Sequence, residues 1–104
     1  MKWPAVVRFE NSDELEVIES KASWDNFLPS INVDCELIGS DGTVCNITVN
    51  SNGPSSMPTD KTINVEAAVE LARRHMAAQA HCCVSKFNAP SVEAVITALV
   101  QLED

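Results

Sequence analysis

The chain has 104 residues, of which 45% are hydrophobic and 21% charged, which suits one globular domain and is too apolar for a disordered chain. The net charge is −8, so the clustered positive surface that nucleic acids and anionic membranes require is not expected. There is no apolar run of about 18 residues that could span a membrane and no signal-peptide core near the start, which favours a cytoplasmic protein.

The first two strands are predicted by alternating apolar and polar side chains at the start of the chain. A polar break at residues 11–13 provides the turn between them. A three-residue loop would place Val7 opposite Val17 and Val6 opposite Ile18. We therefore predict a β-hairpin whose face with Val7 and Val17 covers the core, while Val6 and Ile18 lie on the opposite face.

A short helix is predicted over residues 20–29, where Ser20 or Ser23 can cap the start and Pro29 ends it. A serine cap accepts a backbone N–H of the first turn, so the helix is expected to begin directly after the hairpin. The large apolar side chains expected to face the core are Trp24, Phe27 and Leu28.

A second hairpin is predicted around a three-residue turn that ends at Gly42, which can adopt the left-handed conformation of a bulged loop. This turn places Leu37 opposite Cys45 and Cys35 opposite Ile47. The two cysteines are then diagonal neighbours in the core, so no disulfide is expected between them. Reduced thiols also fit a cytoplasmic protein.

The following segment, residues 51–61, contains two prolines, one glycine and three serines. Proline lacks the N–H that a central strand donates, so this composition predicts a loop. Such a loop is long for a compact domain and would be either functional or mobile. Of these two interpretations, the sequence favours a mobile loop.

Two helices are predicted after this segment, each beginning with a capping residue and an acid in the first turn, at Asn64 and at Ser91. Each has an apolar stripe along one side, so both need a sheet face to cover. His75 is predicted to lie at the boundary of the first stripe. The stripes consist of Val65, Ala68, Val69, Ala72 and Met76 in the first helix and Val92, Val95, Ile96, Leu99 and Leu102 in the second.

Residues 81–87, HCCVSKF, lie between these helices and predict a fifth strand. Successive side chains of a strand point to opposite faces, so Cys82 and Cys83 cannot bind one metal ion while the strand is regular. A zinc site that combined one of them with His81, Cys35 and Cys45 would lack the short ligand spacing typical of zinc sites. We predict no metal and no cofactor.

A catalytic thiol needs a setting that lowers its pKa, such as a helix N-terminus or a nearby cation. Cys82 and Cys83 follow the C-terminal end of a helix in an acidic chain, which has the opposite effect. Lys86 is the nearby cation that could offset it. We predict no catalytic residue, and the alternative is a thiol-dependent enzyme or redox protein that uses Cys82 or Cys83.

Together these segments predict one domain over residues 1–104 with an α+β fold. Its order is strand, strand, helix, strand, strand, helix, strand, helix. The sheet is expected to be mostly antiparallel with five strands, and two long helices are expected on one face. A ubiquitin-like grasp, which also opens with a hairpin and a helix, is the alternative topology.

The face away from the helices is expected to carry two apolar pairs among acidic side chains. Such a face suits a protein partner or a second copy of the chain, although each pair could simply stabilise its own hairpin. The candidate partner surface consists of Val6, Ile18, Ile38, Val44, Glu16 and Glu36. We predict a small, acidic, non-catalytic protein-binding or regulatory module in which a charge at residue 6 leaves the fold intact.

Several short stretches resemble a small family of uncharacterised proteins from gammaproteobacteria. They are Trp3-Pro4-Ala5 at the start, Asp41-Gly42 before a strand, and residues 82–87 (CCVSKF) with Ala89-Pro90 before the last helix. The resemblance covers nearly the whole chain and implies a bacterial, cytoplasmic protein. It implies no activity and no functional residues.

Overall fold

The computed structural model describes residues 1–80 and 86–103. Within these ranges one five-stranded sheet has the order β2-β1-β3-β4-β5, and every pairing in it is antiparallel. The strands are β1 Ala5–Phe9, β2 Leu15–Ile18, β3 Cys35–Gly39, β4 Thr43–Asn50 and β5 Gly53–Thr62. The helices are α1 Lys21–Phe27, α2 Val65–Ala78 and α3 Val92–Glu103, and a 3-10 turn follows α1 at Leu28–Ser30.

The predicted α+β class and the five-stranded antiparallel sheet are confirmed, but the segment 51–61 is a strand and not the predicted loop. Asn50 pairs with Gly53 across a two-residue turn. Gly53 has a φ of 102°, which glycine adopts without steric cost, so β4 and β5 form a tight hairpin. The loop prediction was wrong because prolines are tolerated in a strand at the edge of a sheet, which is where β5 lies.

The strand predicted at residues 81–87 falls largely on residues 81–85, which lie outside the described residues. Lys86 and Phe87, which follow, are not part of a strand. Arg73 of α2 donates two hydrogen bonds to the carbonyl oxygen of Phe87, from Nε at 3.0 Å and from Nη2 at 2.7 Å. These bonds hold the segment before α3 against α2.

The register of one hairpin was predicted correctly and that of the other was not. Leu37 of β3 lies opposite Cys45 of β4, as predicted. Val6 of β1 lies opposite Val17 of β2, one residue away from the predicted pairing. The connection comprises residues 10–14 and is longer than the three residues expected. Because side chains alternate along a strand, this single-residue difference reverses the faces of β2 relative to β1.

Helices cover both faces of the sheet, so the expectation of an open face was wrong. α2 and α3 pack on one face, where they form an apolar cluster with side chains of β1 to β4. On the other face, Trp24 of α1 and Ile31 lie in a second cluster. The sheet residues of the first cluster are Val6, Leu15, Ile38 and Val44, and those of the second are Ala5, Val7, Ile18, Cys35, Leu37 and Ile47.

The predicted helix starts are confirmed by side-chain caps. In each helix the cap oxygen accepts the backbone N–H three residues later, at 3.2 Å for Ser20, 2.8 Å for Asn64 and 3.1 Å for Ser91. The apolar stripes face the sheet, as expected, except that Leu102 is exposed. The stripe residues that are buried are Ala68, Val69, Ala72, Met76, Val95, Ile96 and Leu99.

Candidate functional site

The aliphatic part of the predicted partner surface is buried. Val6, Ile38 and Val44 lie beneath α2 and α3, with 3%, 2% and 4% of their surface exposed. Ile18 is buried on the other face, in the cluster that contains Trp24. The prediction was wrong because it placed the helices on the face opposite to Val6. The acidic neighbours along each strand had suggested a solvent-exposed face for these side chains.

Two rows of side chains cross β1, β3 and β4 on the face that α2 and α3 cover. The aliphatic row consists of Val6, Ile38 and Val44, and the polar row, two residues away along each strand, consists of Arg8, Glu36 and Asn46. A groove of about 590 Å³ is lined by the polar row and by the turn between β1 and β2. Because side chains two residues apart share a face, this groove continues the helix-covered face beyond its apolar cluster.

We call this groove the acidic groove, because four acidic side chains line it and one basic side chain, Arg8, does. The acids are Glu10, Asp13, Asp34 and Glu36. Arg8 Nη1 donates a hydrogen bond to Glu36 Oε1 at 3.1 Å, so the cation is matched inside the polar row. Asp34 Oδ1 accepts a backbone N–H from β4 at 2.9 Å. Among the described residues, Glu10 and Asp13 form no ion pair, and the groove therefore keeps a negative excess.

Of the acids predicted at the partner surface, Glu36 lies in the acidic groove and Glu16 does not. Glu16 is exposed on β2, which is an edge strand of the sheet. The sequence did not predict Glu10 and Asp13 as site residues, because they line the groove only when β1 pairs with β3. In that pairing Phe9 lies opposite Cys35, which brings the end of β1 beside the start of β3.

His75 of α2 anchors the end of the turn that lines the acidic groove. Its Nδ1 accepts the backbone N–H of Leu15 at 2.8 Å, and the side chain is 1% exposed. The prediction that this histidine lies at the boundary of the helix stripe was therefore wrong. Its position three residues after Ala72 places it on the buried side of α2, and this spacing was the available signal.

The two described cysteines are poorly suited to thiol chemistry. Burial, followed by the negative charges of Asp34 and Glu36 on either side of it in sequence, raises the pKa of Cys35 to about 11. Burial also raises the pKa of Cys45, although a backbone hydrogen bond opposes this effect. The thiolate is the reactive form of cysteine, so neither side chain favours nucleophilic or redox chemistry at neutral pH. Cys82 and Cys83 lie outside the described residues.

The described residues, 1–80 and 86–103, show neither a metal-binding cluster nor a membrane-spanning helix. These residues contain no group of three or more His, Cys, Asp or Glu side chains placed to hold a metal ion. No helix in the same ranges is long and apolar enough to cross a lipid bilayer. His81, the histidine of the zinc alternative, lies outside the described residues.

A protein-family model matches most of the chain. The model of the DUF4144 family, described as a protein structure with unknown function, matches residues 3–99. The chain belongs to this family. The resemblance to an uncharacterised bacterial family, indicated by Trp3-Pro4-Ala5 and the other short stretches, is thereby confirmed.

A solved structure shows the same fold. The chain is similar to a protein from Shewanella amazonensis determined by NMR, with a TM-score of 0.71 and 24% sequence identity. The match covers 100% of this chain and 91% of the other. At this level of identity the likeness shows the fold alone. A search of curated proteins found no match.

Proposed function

We propose that the protein is a non-catalytic protein-binding module and that its acidic groove binds a basic segment of a partner protein. The observation that carries this proposal is the composition of the groove, where four carboxylates stand against one arginine that is itself paired with Glu36. An arginine or lysine of the partner would meet the carboxylates of Glu10 and Asp13. Complementary charge of this kind raises the rate of association and excludes acidic partners.

The size of the acidic groove supports a short peptide segment as the bound group. Its volume of about 590 Å³ is in the range of binding pockets in general, roughly 300–1,000 Å³. The net charge of −8 extends the attraction beyond the groove. We place this binding function in the bacterial cytoplasm. The thiol-dependent alternative receives no support from Cys35 or Cys45, whose pKa values are raised.

The proposal is tested by titrating an eight-residue lysine peptide into ¹⁵N-labelled protein and following the amide shifts by NMR. We expect saturable shifts concentrated in residues 8–13, 34–36 and 46–48, which line the acidic groove. The affinity should fall as salt is raised from about 50 to 300 mM, because screening weakens interactions between exposed charges. An eight-residue glutamate peptide should produce no shifts.

A matched pair of variants separates the acidic groove from the overall charge. The first combines Glu10→Gln with Asp13→Asn, both in the groove. The second combines Glu16→Gln with Glu19→Gln, which are exposed outside it and change the net charge by the same amount. We expect the first variant to weaken binding at least fivefold more than the second. Equal weakening, or shifts spread over the acids of α2 and α3, would contradict the proposal.

A further inference from the structure

Within residues 1–80 and 86–103, β5 presents an exposed edge of the sheet. It is ten residues long and is the end strand in the order of the sheet. Most of its residues are exposed, and Met57 is 69% exposed. From Gly53 to Thr59 the strand carries no charged side chain. A long, exposed edge of this kind is a template for pairing with another strand. Charged side chains often prevent such pairing, but this part of β5 has none.

The prolines of β5 determine which hydrogen-bonding groups this edge offers. Pro54 lies opposite Val49 and Pro58 lies opposite Cys45. A proline has no N–H, so neither pair can exchange the two hydrogen bonds of a hydrogen-bonded antiparallel pair. The backbone groups of both prolines therefore point away from β4, and those of Ser56, midway between them, point the same way. On the outer edge between residues 54 and 58, only Ser56 has an N–H to donate.

The same alternation shows which hydrogen bonds β5 of a second copy of the chain could form with this edge. Two β5 strands related by a two-fold axis at Ser56 would place Ser56 opposite Ser56 and each Pro54 opposite a Pro58. These three pairs would all be of the hydrogen-bonded type, with two bonds each. Four of the six bonds would need an N–H from residue 54 or 58, and proline provides none. The two bonds at Ser56 would remain.

We infer that Pro54 and Pro58 prevent β5 from pairing with β5 of a second copy of the chain. The carbonyl oxygens of this edge stay exposed to water, where they are solvated. In a β5–β5 pair, carbonyl oxygens of the approaching strand would face a proline and find no N–H donor. Burying such an acceptor without a partner costs more free energy than a formed hydrogen bond contributes. This inference is independent of the acidic groove, which is lined by residues of β1, β3, β4 and the turn after β1 and by none of β5.

The double variant Pro54→Thr with Pro58→Thr tests this inference, because it restores both donors with a residue that favours strands. Size-exclusion chromatography with light scattering is run on wild type and variant from about 10 µM to 1 mM. We expect wild type to keep the mass of one chain and the variant to reach the mass of two. Amide hydrogen exchange should show the new N–H groups at 54 and 58 protected at high concentration. A variant that folds and keeps the mass of one chain would overturn the inference, as would a wild-type dimer joined through β5.

The matched control is Ser55→Thr with Met57→Thr. It introduces the same two residues at positions whose N–H groups already face β4, so it adds no outward donor. This control should keep the mass of one chain. If it associates as strongly as the proline variant, the threonine side chains are responsible and the inference fails. Should the proline double variant not fold, Pro58→Thr alone restores two of the four missing bonds and should give weaker association.

Discussion

The aliphatic row and the polar row lie side by side on the same three strands and have opposite roles. Val6, Ile38 and Val44 are almost completely buried beneath α2 and α3. Two residues away on each strand, the polar row lines the acidic groove, where Arg8 and Glu36 pair with each other. The face of the sheet thus changes from apolar core to charged surface within two residues.

This difference shows that a sheet face is defined by what packs on it and not by strand alternation alone. Alternation assigns both rows to one face, since side chains two residues apart point the same way. The helices cover only the first row, and burying each of its side chains contributes about 1.5–3 kcal/mol. The second row remains in contact with water. A binding site can therefore adjoin the core without interrupting it.

The largest expected effect is produced by a charge in the aliphatic row. Val6→Lys places an ammonium group in a site that is 3% exposed, and burying an unpaired charge there should cost at least ~4 kcal/mol. A domain of this size has roughly 5–15 kcal/mol of stability in total, so we expect the variant to lose a large part of it and to unfold at a much lower temperature and urea concentration than wild type. Circular dichroism during thermal and urea unfolding measures this.

The matched control places the same side chain in the polar row. Asn46→Lys adds a lysine beside the acids of the groove, and we expect its free energy of unfolding to stay within about 0.5 kcal/mol of wild type. If Val6→Lys unfolded as cooperatively and at the same temperature as Asn46→Lys, the helices would not bury the aliphatic row more than the polar row. The interpretation of the sequence, in which a charge at residue 6 is tolerated, would then be correct.

The second prediction concerns Cys35, which lies on β3 beside the polar row. Its pKa is raised to about 11, so at pH 8 its thiolate fraction should be about a hundredfold below that of a thiol titrating at 9. Iodoacetamide labelling followed by peptide mass spectrometry should show Cys35 reacting more slowly than the partly exposed Cys45. Its reactivity should continue to rise with pH up to about 11.

The charge of the polar row contributes to this shift. Glu36→Gln removes one of the charges that raise the pKa of Cys35, so the variant should label faster at pH 9 than wild type. Glu16→Gln, outside the acidic groove, should leave the labelling rate unchanged. If Cys35 were labelled as fast as Cys45 in the folded protein, its burial would be refuted.

A smaller effect is expected where α2 is joined to the turn beside the acidic groove. His75→Phe keeps a ring of similar size but removes the acceptor for the backbone N–H of Leu15. A buried donor left without its acceptor costs about 1–3 kcal/mol, which urea unfolding measures. Hydrogen exchange identifies the cause, because the Leu15 amide should lose protection.

His75→Asn is the control, since Asn Oδ1 can accept near the position of Nδ1. This variant also loses volume, so its stability alone does not discriminate between the two effects. Protection of the Leu15 amide should persist in His75→Asn and be lost in His75→Phe. Equal protection in both would show that the hydrogen bond does not hold the turn.

The two hairpins show how far the sequence predicts this structure. The β3–β4 register followed from a local signal, the turn that ends at Gly42, whose φ is 85°. The β1–β2 register did not, because its longer connection places Asn11 at a φ of 63°, which no local pattern required. The faces were assigned incorrectly for a different reason, because alternation does not show which face α2 and α3 cover, and Ile38 and Val44 were misplaced although their register was correct. The acidic groove depends on the pairing of β1 with β3, and α1 separates these strands in sequence, so alternation within either strand does not reveal it.

The smallest effect on stability is expected from the ion pair in the polar row. Arg8 and Glu36 are both partly exposed, and such pairs contribute about 0–1 kcal/mol, so Arg8→Gln should change the free energy of unfolding by no more than that. The same change removes the cation from the acidic groove and should therefore tighten binding of the lysine peptide. Lys21→Gln, which breaks the exposed pair with Asp25 on α1, changes the net charge equally and should not tighten binding to the same extent. Equal tightening in both variants would mean that the peptide responds to net charge and not to the groove.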